Sequence, residues 1–340
     1  TAEQQAAAQV PLKLNYQIPK KLTSLTTYFK DYVVKEFNEW AAANPAPDGH
    51  IYNLETSGLK IYTTLNSSVQ KSSEQAIVRQ MASLQKLMEQ HWDALSTEGG
   101  KEALLKKLLN NSAAVKNFKT QGKTDREVEK FISEKKLRVQ WDITKGNVLR
   151  LQSLKDSIAN AINRLHAGLL TINSQTGGIM GYVGGIDYGM SQKDNILEPK
   201  QVGSTFKPIT YLAALENGKT PCDFYDNSLV KYAEYEDWTP RNSNGNYGGS
   251  YSMYGALANS VNTVSVRIQL ETGIKPVQKL AKKMGITATL PSVPSIVLGT
   301  GDISLFDMVT AYASISNGGR RVKPYAIERI EDDKGKVLYQ

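Results

Sequence analysis

The arrangement that most limits how this chain can fold is Gly203-Ser204-Thr205-Phe206-Lys207-Pro208, running into the apolar stretch Ile209-Thr210-Tyr211-Leu212-Ala213-Ala214-Leu215. Glycine lets the backbone turn sharply, a serine follows where a helix opens, and a lysine stands three places on. Residues i and i+3 of a helix share a face about one turn apart. That spacing brings the Lys207 amine within reach of the Ser204 hydroxyl at the helix N-terminus. Unpaired N–H groups and the helix dipole favour developing negative charge there. A serine needs a neighbouring base to become a nucleophile, and an amine whose pKa is lowered by burial supplies one. Alone, the spacing equally describes an N-capping serine beside a surface lysine, so the rest of the chain must decide.

Length and composition set the frame. A chain of 340 residues holds roughly two domains with ample core, and 40% hydrophobic with 22% charged residues is ordinary for a globular protein. No run of eighteen or more apolar residues is present, and the N-terminus lacks the basic and apolar regions of a signal peptide. It begins in the manner of an excised piece. Cys222 is the only cysteine, so no intrachain disulfide forms. His50, His91 and His166 are too dispersed for a zinc site, and neither metal nor cofactor is expected. The net charge of +8 spreads through lysines interleaved with acidic residues, a solvated face without the aromatic-basic motifs of nucleic-acid binding.

Residues 1–57 read as a connector broken by Pro11, Pro19, Pro45 and Pro47, with room for one short element near 28–37. Gly58 precedes a strand, Leu59–Leu65, and Ser67-x-x-Gln70 has the capping-box form that opens a helix. Ile77, Met81, Leu84, Met88, Trp92 and Leu95 make one apolar stripe on it, read as core packing. A lysine-rich helix follows near 101–110, then another opened by Thr124-x-x-Glu127. Gly122-Lys123-Thr124 lacks the earlier glycine and leading strand of a phosphate-binding loop. A hairpin is expected to turn at Lys145-Gly146, and a helix from Leu154 to end near Gly168, placing His166 at its C-terminus. A second hairpin spans 169–183, and a polar loop leads to Ser204. Residues 217–250, rich in Asn, Gly, Tyr and Ser, read as a cleft-lining loop.

A second polar group interrupts an apolar segment at Ser260-Val261-Asn262. A second hydroxyl can relay a proton between an amine base and a leaving nitrogen, and a side-chain amide can grip a peptide group. Local capping by Ser and Asn is the competing reading.

With these in view the chain resembles the class A penicillin-binding proteins, which pair a glycosyltransferase with a serine DD-transpeptidase. Gly58–Leu65 is similar to the family's linker strand, Gly168–Gly185 to the hairpin before the nucleophile, and Gln201–Pro208 to the nucleophile block, with Lys200 where arginine is more usual. Trp238–Asn242, Leu298–Ser304, Ala311–Ala313 and Asn317–Gly319 are similar to later blocks. The resemblance implies an α+β fold of the penicillin-binding transpeptidase and serine β-lactamase type, with an antiparallel sheet flanked by helices. It divides the chain into a linker (1–57) after a glycosyltransferase outside this chain, a strand and helical insert (58–165), and a transpeptidase region (166–340). It implies Ser204 as nucleophile, Lys207 as base, Ser260 as proton relay and Asn262 as substrate holder, with Gly203, Trp238, Asn242 and Thr263 as substrate-binding residues. The implied partners are a peptidoglycan stem peptide or its lipid-linked precursor, β-lactam antibiotics, and the membrane through a segment outside this chain; the helical insert reads either as a core-packed linker that needs no partner or as a docking site for an envelope protein. The implied location is the extracytoplasmic, periplasmic side of the bacterial inner membrane. A non-catalytic penicillin-recognising sensor or scaffold, and a DD-carboxypeptidase or β-lactamase-type hydrolase, are the alternatives.

One departure stands out. The family carries a Lys-Thr/Ser-Gly motif on a strand lining the cleft, and this chain has none. Lys219-Thr220 runs into Pro221, Gly299-Thr300-Gly301 lacks the lysine, and the sequence ends at Gln340. The expectation is therefore a chain truncated before that strand, with a poor or absent transpeptidase activity of its own.

Overall fold

The computed structural model describes residues 26–95 and 100–340. Pro11, Pro19 and Gly99 lie outside the described residues, as do the side chains of His91, Trp92 and Leu95. The first described element is an 18-residue helix, α1 (Thr26–Ala43), longer than the short element expected there. Its Tyr28 and Phe29 are buried against Ile179 and Tyr182, and Phe37 and Ala41 against Ile327 and Ile330. The Glu36 carboxylate accepts the N–H groups of Ala326 and Ile327 at 2.9 and 3.2 Å. This stretch is therefore packed into the body rather than strung alongside it.

The strand expected after Gly58 is β1 (Lys60–Thr63), and the long helix is α2 (Ser67–Leu95). Its cap differs from the expected box. Asn66 Oδ1 takes the N–H groups of Ser68 and Val69, each at 3.1 Å. The Gln70 amide instead pairs with the backbone of Tyr182, accepting its N–H at 2.7 Å and donating to its carbonyl at 3.0 Å. A side-chain amide thereby closes a strand edge that would otherwise be open. The apolar stripe is core at Ile77 and Met81, but Leu84 is 38% exposed.

The insert then folds as α3 (Gly100–Asn111), α4 (Ala113–Thr120), α5 (Asp125–Ser133), the hairpin β2 (Lys136–Asp142) and β3 (Gly146–Gln152), and α6 (Leu154–Ile162). Thr124 and Glu127 form the expected capping box on α5. The hairpin turns at Lys145-Gly146 in the expected register. Leu105, Leu109, Val115, Val128, Ile132 and Leu154 give the insert its own core. Helix α6 stops at Ile162 with Asn163 as cap, so His166 lies beyond the helix and not on its last turn.

The remaining chain forms β4 (Leu169–Ile172), β5 (Ile179–Val183), β6 (Lys200–Gln201), a 3₁₀ turn (Gly203–Phe206), α7 (Lys207–Glu216), β7 (Phe224–Asp226), β8 (Ser250–Ser252), α8 (Met253–Ala258), α9 (Asn262–Thr272) and α10 (Ile274–Lys283). Two further 3₁₀ turns (Ala233–Tyr235, before β8, and Pro294–Leu298), β9 (Asp302–Ile303), α11 (Leu305–Ser316), β10 (Ile327–Glu331) and β11 (Val337–Tyr339) complete it. Strand β10 sits between β1 and β11 in an antiparallel sheet. Strands β4 and β5 pair as the expected second hairpin. Ile179 donates to the Tyr325 carbonyl at 3.0 Å and Asn66 to that of Met180 at 3.0 Å, tying β5 to the residues beside β1 and β10. Among the described residues no strand pairs with the outer edge of β4.

Candidate active site

The Ser204 turn is anchored from below. Phe206 is fully buried in a cluster with Ile209, Ala213, Val277, Ala281 and Ile296. Thr205 donates to the Val202 carbonyl at 2.6 Å and accepts the Tyr312 hydroxyl on its own carbonyl at 2.8 Å. Within the turn the Lys207 N–H bonds the Ser204 carbonyl. Ser204 and Lys207 thus stand about one turn apart along the backbone, the serine exposed to solvent and the lysine at the start of α7.

Lys207 itself is 1% exposed. Its Nζ donates to Ser260 O at 2.7 Å, Ser260 Oγ at 2.9 Å and Asn262 Oδ1 at 2.7 Å. No hydrogen bond joins it to the Ser204 hydroxyl among the described residues. Burial strips water from the ammonium and lowers its pKa from 10.5 to about 8. At pH 7.4 roughly a fifth of such amines are neutral, against about one in a thousand at the ordinary value. A neutral amine has two N–H groups, which satisfy the two obligate acceptors, Ser260 O and Asn262 Oδ1. Its lone pair then remains for a hydroxyl proton.

Two buried polar contacts set helix α7 against α9 and so bring this cage together. Thr210 donates to Gln269 at 3.1 Å, and Tyr211 meets Ser265 at 2.9 Å. Ser260 and Asn262, expected inside one apolar segment, straddle the break between α8 and α9. Ser260 has φ +52°. Its N–H bonds Leu257 O at 3.0 Å and the Val261 N–H bonds Ala256 O at 2.9 Å, the paired bonds that close a helix on a left-handed residue. Glycine is the usual occupant there. A serine held in that conformation places its hydroxyl and its carbonyl on the same amine, and strain of this kind gathers at functional sites.

Residues 167–340, just over half of the chain, match the penicillin binding protein transpeptidase domain. The chain belongs to the penicillin-binding protein transpeptidase family. Penicillin-binding protein 2D of Bacillus subtilis is 31% identical over 290 residues, covering 81% of this chain and 41% of its own length. Penicillin-binding protein 1A of Rickettsia bellii is 29% identical over 311 residues, 84% of this chain and 39% of its own. The chain thus spans less than half the length of these relatives. The crystal structure of penicillin-binding protein 1A from Haemophilus influenzae matches with TM-score 0.64 at 21% identity, over 100% of this chain and 52% of that one. A Mycobacterium tuberculosis penicillin-binding protein in complex with penicillin V gives TM-score 0.58 at 19% identity, over 91% and 63%. These likenesses establish the α+β fold expected from the sequence.

Within this penicillin-binding transpeptidase the other expected substrate residues divide. Gly203 lies beside Ser204, its N–H on Gly299 O at 3.2 Å. Trp238 is half-buried in the 232–238 loop, its ring 6.1 Å from that of Tyr232. Asn242 turns inward instead. Its Oδ1 accepts the N–H groups of Asn262 and Thr263 at 2.9 and 3.1 Å, and its Nδ2 donates to Asn227 Oδ1 at 2.7 Å and Asn246 O at 2.8 Å. Both amide hydrogens are thereby used. Thr263 is 2% exposed, and its hydroxyl donates to Asn227 Oδ1 at 2.7 Å. Neither residue offers a free group to a substrate, because each is committed to the frame beneath Asn262. Sequence reasoning missed Asn227, which lies 35 positions from Asn262 and carries no local signal.

A groove of about 740 Å³ lies between the open edge of β4 and helix α11, with Leu170, Ile172, Val202, Thr205, Ile303 and Met308 among its walls.

Proposed function

We propose that this chain is the transpeptidase portion of a longer bifunctional wall synthase, cross-linking peptidoglycan stem peptides through an acyl-enzyme on Ser204. The observation that carries the reading is the dry, three-point cage around the Lys207 amine, one tight turn below an exposed serine. The neutral amine takes the Ser204 proton as Oγ attacks the carbonyl of the penultimate D-alanine. N–H groups at the start of the turn favour the resulting oxyanion. As the carbonyl reforms, the C–N bond to the terminal D-alanine breaks, and the proton passes from Lys207 through the Ser260 hydroxyl to the leaving nitrogen. An amine from a second stem peptide then attacks the acyl carbon, gives up its proton along the same route and restores Ser204. The second Asn262 amide hydrogen, beyond the one held by Arg241 O at 2.8 Å, suits the substrate's backbone carbonyl. Gly203 and Trp238 line the approach. A β-lactam acylates the same oxygen.

The groove beside β4 supports a place for the Lys-Thr/Ser-Gly strand of the longer protein, paired to the open edge. On this reading 1–57 links to a glycosyltransferase, 58–165 is the insert and 166–340 the incomplete transpeptidase. The protein works outside the cytoplasm in the cell envelope, held to the membrane by a segment outside this chain. Among the described residues no helix is long and apolar enough to cross a membrane. An envelope partner at the insert is supported by the hairpin face on which Leu137, Val139, Leu149 and Leu151 are 60–69% exposed.

The test is acylation by a fluorescent penicillin. The full-length parent should label on Ser204 and the Ser204→Ala variant should not. The 340-residue chain should label roughly 10²-fold or more slowly, the effect of one missing oxyanion donor. A parent that stays unlabelled, or labels elsewhere, overturns the reading.

A further inference from the structure

Helix α9 begins without a cap of its own. Its N-cap residue is Val261, which offers no side-chain acceptor, so the first N–H groups need a partner from elsewhere. That partner is Asn242, more than one loop away, accepting from both Asn262 and Thr263. Asn242 is in turn aimed by Asn227, whose Oδ1 takes Asn242 Nδ2 and the Thr263 hydroxyl, each at 2.7 Å. Asn227 is 3% exposed. Its backbone is pinned to the far side of the loop by bonds to Gly249 O at 2.9 Å and from Gly248 N at 2.8 Å. A fixed point at the end of strand β7 thus holds the first turn of the helix that presents Asn262 Oδ1 to the Lys207 amine.

We infer that Asn227 and Asn242 are positioning residues of the acylation machinery, acting through the first turn of α9 to hold the Lys207 cage in register. The inference rests on the proposed serine acylation, yet its structural half is separately measurable. Neither amide reaches Lys207. Each acts by deciding where Asn262 and the adjoining Ser260 stand, and a displacement near 1 Å is enough to slow a positioned reaction about 10²-fold. Thr263 belongs to the same frame, since its hydroxyl occupies the second acceptor site of Asn227.

The experiment uses the full-length parent and the variants Asn227→Ala, Asn242→Ala, Thr263→Val and Thr263→Ser. Acylation by fluorescent penicillin is followed to saturation, and amide hydrogen exchange is read at Asn262 and Thr263. Asn242→Ala should lower the saturating rate at least tenfold, with half-saturation shifted less than threefold, and should speed exchange at both amides. Asn227→Ala, which touches neither amide, should move both readouts in the same direction. Thr263→Val should follow it, and Thr263→Ser, which keeps the hydroxyl, should restore them. Unchanged exchange in Asn227→Ala, slowed acylation without faster exchange, or equal behaviour of the two Thr263 variants would overturn the inference. A parent that is never acylated would refute the proposed function, and the exchange data would still decide whether these amides hold the helix.

Discussion

Two glycines face each other across the base of the Ser204 turn, and they make contrasting predictions. Gly299 has φ +73°, and a Cβ placed on it would stand 2.0 Å from Gly203 O, 2.3 Å from its N and 2.5 Å from its carbonyl carbon. These are backbone atoms, so no rotamer change relieves the overlap. In Gly299→Ala the two segments must separate by more than about 1 Å, moving the turn that carries Ser204. Overpacking of this kind costs about 1–3 kcal/mol, and a left-handed alanine adds about 1–2 kcal/mol. The sum is about 2–5 kcal/mol of stability. Because the displaced segment carries Ser204, the proposed nucleophile, saturating acylation should also fall by about 10²-fold. Gly203→Ala is the control for stability. Its φ is +58°, yet a Cβ there meets nothing within 4 Å, so only the about 1–2 kcal/mol conformational penalty applies. Thermal unfolding and stopped-flow labelling with a fluorescent penicillin, both on the parent protein, give the two numbers. If Gly299→Ala acylates within threefold of the parent, or destabilises no more than Gly203→Ala, the claim that this contact seats the Ser204 turn is wrong.

The remaining expectations follow from the same site. The acylation rate should climb about tenfold per pH unit below an inflection near 8 and level off above it, since the base must be neutral; a flat profile from pH 6 to 9 would remove Lys207 from that role. Lys207→Arg, whose guanidinium stays charged, should abolish labelling. Between pH 8 and 10.5 the unfolded chain carries a proton on Lys207 that the folded one lacks, so stability rises with pH by about 3 kcal/mol across that window. Urea titrations of Lys207→Met should show that rise missing. Ser260→Gly relieves a left-handed residue and should melt no lower than the parent, yet acylate about 10²- to 10⁴-fold more slowly for want of its hydroxyl; equal rates would dismiss the relay. Glu36→Ala strips two backbone N–H groups of their acceptor and should lower stability by about 2 kcal/mol without changing acylation of the folded protein, measured by the same two assays.

Much of this architecture was written in short stretches of sequence. The Thr124–Glu127 box, the hairpin at Lys145-Gly146 and the Ser204–Lys207 turn each depend on bonds between residues three to sixteen positions apart, which composition and spacing report directly. Periodicity tells which face of α2 is apolar but not how far that face stays covered, and so Leu84 emerges exposed. Partners distant along the chain were silent. Gln70 could serve as a helix cap or as the clasp on Tyr182, 112 positions away, and only the arrival of β5 chose between them. Asn242 reads as a cleft residue until α9 is seen to start on an uncapped valine. The sequence by itself determined that a serine and a lysine would stand one turn apart at the opening of a helix. The tertiary structure alone decided that the lysine would be buried, stripped of water and handed to Ser260 and Asn262, because desolvation and long-range hydrogen bonds exist only once α7 and α9 have packed.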